Sequence, residues 1–253
     1  IGYVHPFCLA SVVGPPGLTL PVDAEPYAPG DCEYNAGRRL LLRLVENLGR
    51  RFAKFVVVDG EFATAPFLHD AGDGGLRVVA RLKDNLPELF RAAQKRFAGE
   101  KPRLVRTIDG DRVELRDADD FDPWETLRWT TVRVLRYRQH KPDGTVVEAY
   151  WLTDFPTKDI GTRTLYHFAK SRWRAIENQG FNVGKEYHGM EHIPHHHANA
   201  LLCWWLLVAL ALTIERLYRL RYLRRGKHAP LSAEKLVLTL WLALGVHRPA
   251  DTS

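Results

Sequence analysis

The chain has 253 residues, with Lys+Arg 36 against Asp+Glu 30 and a formal net charge of +6 at pH 7. Hydrophobic residues make up 45% and charged residues 26%, an ordinary globular composition that excludes a disordered or fibrous chain. The excess of base leans weakly towards an anionic partner such as nucleic acid. At roughly 150 residues per domain, the length suits one large domain or a domain carrying an insertion. The only methionine is Met190 and the first residue is Ile1, so the sequence reads as a fragment or a processed chain. Cys8, Cys32 and Cys203 are far apart and form no Cys-x-x-Cys pair. That argues against a disulfide framework or a zinc ribbon and for a reducing, cytoplasmic setting.

Residues 3–13 and 18–22 read as a strand hairpin around Gly14-Pro15-Pro16-Gly17. A loop rich in Pro and Gly follows. Residues 33–52 then carry Leu40, Leu41, Leu44, Val45 and Leu48 at helical spacing. FVVVDGEF (55–62) is a short β-branched run that stops at Asp59-Gly60, and it predicts a strand buried on both faces. A helix is expected over 63–71, a strand over 76–83 and a helix over 86–98. Residues 103–153 read as a series of strands with a hairpin turn at Lys141-Pro142-Asp143-Gly144. The chain therefore reads as an α/β protein with a β-rich insertion over 101–156, set between a first part (1–100) and a helical part (157–253).

From Thr162 the pattern is helical: one helix over 162–181, another over 198–223. Ala200–Ile214 is apolar throughout but shorter than the ~20 residues a membrane span needs, so a buried core helix is expected. Residues 215–227 hold six Arg or Lys against Glu215 alone, a solvated face or a phosphate-contacting one.

No phosphate loop, dinucleotide fingerprint, nucleophile elbow or HExxH is present. The histidines His188, His192, His195, His196 and His197 fit no closed zinc pattern, and a polar cap opening the apolar helix suits them better. Two carboxylates stand out. Asp59 sits at the C-terminal end of a strand, where α/β sheets place functional groups, although Asp-Gly also forms turns. Glu177 lies in RWRAIENQGF among basic and aromatic residues. On a helical wheel Lys170, Trp173 and Arg174 fall within about 60° of it, which also suits a surface ion-pair cluster. Paired carboxylates can hold Mg²⁺ or Mn²⁺ with a substrate phosphate, and two such ions about 4 Å apart can drive phosphodiester chemistry.

A strand ending Val-Val-Asp59-Gly60, then a β-rich block, then Arg172-Trp173…Ile176-Glu177-Asn178…Gly180-Phe181-Asn182…Lys185…Tyr187-His188…Glu191-His192 resembles the DDE insertion-sequence transposases of the IS-four-like superfamily. Gly30-Asp31-x-Glu33 followed by Arg38-Arg39-Leu40-Leu41 is similar to the same group. The resemblance covers nearly the whole chain, and Ile-Glu-Asn-x-Gly-Phe-Asn is its specific part. It implies an RNase H-like catalytic fold with an inserted β-rich subdomain and a helical C-terminal region. It also implies Mg²⁺- or Mn²⁺-dependent cutting and joining of DNA ends by two Asp and one Glu. Asp59 would be the second acid and Glu177 the third, both metal-holding, with Arg172 or Arg174 and Lys185 gripping transposon-end DNA. The partners implied are double-stranded DNA and a second copy of the chain.

The sequence departs from that pattern. The first acid would lie upstream of Ile1, and Asp23 and Asp31 are the only early candidates. The basic-aromatic pair stands one residue further from Glu177 than in the family. Two rival readings remain: a catalytically dead DNA-binding remnant, and an RNase H-like nuclease that does not join strands. A membrane-associated protein using residues 200–214 is more distant.

Overall fold

The computed structural model describes residues 6–14, 18–172, 182–192, 196–223, 231–232, 235–236, 238–239 and 242. They belong to two compact units: Tyr27–Arg172, and the segments Ile1–Pro26 and Trp173–Ser253 taken together. The chain begins with the antiparallel hairpin β1 (Phe7–Gly14) and β2 (Leu18–Pro26) of the second unit, with a bulge between Ala10 and Ser11. This is the hairpin expected from the turn residues.

The first unit follows as α1 (Glu33–Leu48), β3 (Phe55–Val58), α2 (Ala65–Asp73), β4 (Arg77–Leu82) and α3 (Pro87–Phe97). It continues with β5 (Leu104–Ile108), β6 (Asp111–Phe121), β7 (Val132–His140), β8 (Val146–Thr153) and α4 (Thr162–Ser171). Six strands form one mixed sheet in the order β3-β4-β8-β7-β6-β5, with β3 and β4 parallel and the other neighbours antiparallel. The strands of the β-rich stretch thus extend the sheet that carries Asp59, because β8 pairs with β4 from Val79↔Thr153 to Leu82↔Tyr150.

The sheet is covered on both faces. Strand side chains alternate with period two. Val78, Ala80, Leu82, Val134 and Leu152 pack in one core with Leu41 of α1, Phe67 and Leu68 of α2, and Phe97 of α3. Val79, Leu135 and Trp151 point the other way and pack with Leu165, Tyr166 and Ala169 of α4. The alternation of apolar and polar residues in VRVLRYRQ predicts a strand but leaves its second face open. Here α4 closes it, so Arg133 is 1% exposed and must find its partner inside.

One expectation fails at β3. All four of its residues are only half-buried, although the apolar run reads as an interior strand. The reason is position: β3 is the edge of the sheet and pairs with β4 alone.

Helix α1 approaches the turn after β3 through Gly37. A Cβ at this position would stand 2.3 Å from a ring carbon of Phe62. Alanine normally strengthens a helix interior by about 1 kcal/mol over glycine. Here the clash reverses the sign. Gly37→Ala is expected to destabilise the protein by about 1–3 kcal/mol, read as a lower urea midpoint at unchanged slope.

In the second unit α5 (Asn182–His188) and α6 (Ala198–Tyr218) join the hairpin. Phe7 stacks on Trp205 at 4.0 Å, and Thr213 Oγ1 donates to the Pro21 carbonyl at 3.2 Å. Leu201, Trp205, Val208 and Leu212 form the inner stripe with Met190. The buried-core expectation for this helix is corrected: Leu207 is 60%, Leu210 53% and Ile214 58% exposed. An 18-residue window within the helical stretch Ala198–Tyr222 has a mean hydropathy of 1.8, so by length and composition alone this helix could cross a membrane.

Glu215 ties α5 to α6. It is buried, with His188 Nε2 at 2.9 Å and Arg219 Nε donating at 2.6 Å. Burial would raise its pKa, but these two partners outweigh burial and hold it at about 2, against an ordinary 4.5. A depressed carboxylate stabilises the fold above the unfolded pKa and loses that contribution as pH falls towards the folded one. On the order of 3 kcal/mol should be present above pH 5 and fade between about 4.5 and 2. Glu215→Gln is therefore expected to flatten the acid limb of a stability-versus-pH curve measured by circular dichroism.

Candidate functional site

Asp59 follows the last residue of β3, and its backbone opens a short 3-10 turn, Gly60–Phe62. Its Oδ1 accepts from Gly60 N at 2.6 Å and lies 3.1 Å from Lys83 Nζ. Its Oδ2 lies 3.5 Å from a terminal guanidinium nitrogen of Arg172. Burial would push the carboxyl up, yet the Gly60 amide, Lys83 and the Arg172 charge together hold its pKa below 3.8. It is a charged, half-buried oxygen donor at a strand end.

The turn is fixed from the neighbouring strand. Asn85 Nδ2 donates to the Gly60 carbonyl at 2.6 Å, and its Oδ1 accepts from Lys83 N at 3.3 Å. Gly60 allows a close approach, since a Cβ there would stand 3.1 Å from the Arg81 carbonyl. Arg81 lies under this turn, donating to the Tyr150 carbonyl at 3.2 Å and resting 4.8 Å from the Trp151 ring centroid. Burial lowers its pKa, and the Asp59 charge opposes that.

Glu33, in the first turn of α1, belongs to the same electrostatic neighbourhood. Its pKa is raised, first by burial, then by the charge of Glu61, with Asp59 adding and Arg172 opposing. Three carboxylates and three cations therefore sense one another around the end of β3.

Of the residues singled out in the sequence, Asp59 and Arg172 are brought together. Arg172 follows the end of α4 and reaches Asp59 directly, so a residue expected on DNA has a carboxylate partner. Lys185 lies on α5 and pairs with Glu191 at 2.8 Å on the surface. Glu177, Arg174 and the 173–181 part of the expected helix lie outside the described residues. Asp31 pairs with Arg39 at 2.7 Å, and Asp23 accepts from Ala24 N at 2.8 Å. Among the described residues no group of three Asp, Glu, His or Cys side chains is placed to hold a metal ion. His197 caps α6 by accepting from Asn199 N at 3.3 Å. The basic run after it is partly committed, since Arg219 bonds Glu215 and the Leu231 carbonyl.

Lys83, Asn85 and Glu61 were not singled out in the sequence, and Glu33 only as part of the string Gly30-Asp31-x-Glu33. A usable signal existed for the first two. They lie just past the C-terminal end of β4, the parallel neighbour of β3, and adjacent parallel strands bring such positions together.

No family model matches the sequence, and no curated protein matches it. Among solved structures the chain is similar to a piggyBac transposase in a synaptic complex with hairpin DNA, seen by cryo-electron microscopy. The likeness has a TM-score of 0.48 and 11% sequence identity, and it covers 98% of this chain and 54% of that one. The chain thus spans about half the length of the structure that it matches.

Proposed function

We propose that this chain belongs to the catalytic domain of a DDE-type DNA transposase with an RNase H-like fold. The observation that carries the reading is the Asp59–Arg172 contact. Arg172 precedes Glu177 by five positions in the sequence. Asp59 would be the second acid and Glu177 the third, as the resemblance implies. Lys83 and Arg172 stand next to Asp59, where a DNA phosphate has to lie for these acids to act on it.

The donor set suits a hard divalent cation. Asp59 is an oxygen donor held deprotonated, and Mg²⁺ needs only one or two carboxylates besides phosphate oxygens and water. Asp59 and Glu177 would hold the ion, and its chemistry is to neutralise charge at the scissile phosphodiester. The chain's own residues do the rest. The Gly60 amide and Asn85 fix the Asp59 turn, while Lys83 and Arg172 offer positive charge to the DNA backbone.

The test uses the protein with labelled end-bearing DNA and Mg²⁺ or Mn²⁺. Cleavage and joining that depend on both Asp59 and Glu177 support the reading. Cleavage without joining points to a nuclease. DNA binding without cleavage makes the chain a binding remnant, in which Asp59 is a turn residue held by two ion pairs.

A further inference from the structure

A cavity of about 420 Å³ lies at the other end of the same sheet, lined by Arg77, Arg128, Trp129, Thr130, Thr131 and Lys158, with Asp119 and Asp154 among its remaining walls. It sits where β4 and β7 begin and β8 ends, whereas Asp59 follows the opposite end of β4's parallel neighbour. The register Val58↔Ala80 sets Asp59 level with Arg81, and the four steps back to Arg77, at about 3.3 Å each, put roughly 13 Å of strand between the two places. The volume is within the range of clefts that hold small ligands.

Its acids are already used. Asp154 accepts from Val78 N at 2.9 Å and from Arg77 at 3.1 Å. Asp119 accepts from Thr157 through both its amide, at 3.1 Å, and its hydroxyl, at 2.5 Å. The deepest cation, Arg133, is neutralised by Asp117. What remains is donor-rich. Arg128 and Lys158 have no carboxylate partner among the described residues, and the hydroxyls of Thr130 and Thr131 and the indole N–H of Trp129 make no hydrogen bond there. Lys, Arg and indole N–H only donate, and hydroxyls can. A cavity with two spare positive charges and three spare donors selects an anion with several acceptor oxygens.

We propose that this cavity binds a phosphate group, carried by a phosphate monoester or by the backbone of a nucleic-acid strand. Arg128 and Lys158 supply the charge, Thr130, Thr131 and Trp129 orient the oxygens, and Asp119 and Asp154 hold the wall. The site is independent of the chemistry assigned to Asp59, and its test needs no cleavage.

The test is calorimetric titration of the whole chain with inorganic phosphate, deoxyadenosine monophosphate and a short single-stranded oligodeoxynucleotide. Saturable binding is expected, weakened about tenfold or more in Arg128→Ala/Lys158→Ala, because charge-assisted hydrogen bonds are the strong ones. Arg106→Ala removes an exposed charge from β5 and is the control; it should bind as the wild type does. Tighter binding of the strand than of the monoester assigns the backbone as source, and equal binding assigns a small phosphate compound. Two results overturn the proposal: no saturable binding of any of the three probes, or the same affinity in the double variant as in Arg106→Ala. Both variants alter exposed side chains. The Arg128 backbone N–H that donates to His69 Nε2 at 3.1 Å is kept.

Discussion

Asp117→Ala is expected to destabilise the protein by about 3–5 kcal/mol, close to the whole stability of a modest domain. The Asp117 side chain is 0% exposed and its partner Arg133 1%. Asp117 accepts from Arg133 Nε at 2.8 Å and from Thr162 Oγ1 at 2.6 Å. Without it the Arg133 guanidinium stays inside the sheet, hydrogen-bonded to the carbonyls of Ile160 and Phe155 at 2.8 and 3.4 Å. A buried charge that loses its counter-ion carries its full desolvation penalty. The double variant Asp117→Leu/Arg133→Met removes both charges and should recover most of the loss. The exposed Arg39–Asp31 pair is the contrast, since water already screens it and removing it should leave the urea midpoint almost unchanged. Urea titration followed by circular dichroism separates these cases, and a loss of less than 1 kcal/mol in Asp117→Ala would sink the argument. The cluster also matters for the site. Thr162 starts α4 and Arg172 follows its end, so Asp117 anchors the helix that delivers Arg172 to Asp59.

The second large effect is on chemistry. Asp59→Asn is expected to lower DNA cleavage by about a thousandfold or more, which corresponds to roughly 4 kcal/mol of barrier. The substitution is chosen for what it preserves. Asparagine keeps a side-chain oxygen for the Gly60 amide, so the turn should persist. It removes the charge that Lys83 and Arg172 now neutralise. Those cations then no longer face a negative charge at position 59, and DNA binding should tighten while cleavage falls. Gel-shift and cleavage assays on one preparation read both. Parallel loss of binding and cleavage would instead mark Asp59 as structural. Because the Asp59 pKa lies below its ordinary 3.8, the wild-type rate should not fall through Asp59 protonation until the pH is below that value.

How much of this was legible beforehand varies by element. The helix of Leu40, Leu41 and Leu44, the β3–α2–β4 unit and the hairpin at Lys141–Gly144 follow from local rules. Residue period and turn chemistry act within a few positions, and the structure keeps them: α1 begins at Glu33, and Lys141 N bonds the Thr145 carbonyl at 2.9 Å. Asp59 was readable for the same reason, as a carboxylate ending an apolar run.

What surrounds Asp59 was not readable. Lys83 and Arg172 are 24 and 113 positions away in the chain, and no local pattern links them. Their meeting depends on β3 pairing with β4 and on α4 covering the sheet. The same applies to Arg133, whose place in an alternating strand gives its face but not whether that face is covered.

The sequence by itself determined the order and type of the elements and the carboxylate at the end of β3, because period and turn chemistry are short-range. Only the tertiary structure decided which strand is an edge, which side of α6 stays exposed and which charges meet inside. Burial and ion pairing depend on what packs across the gap, and that partner comes from far along the chain.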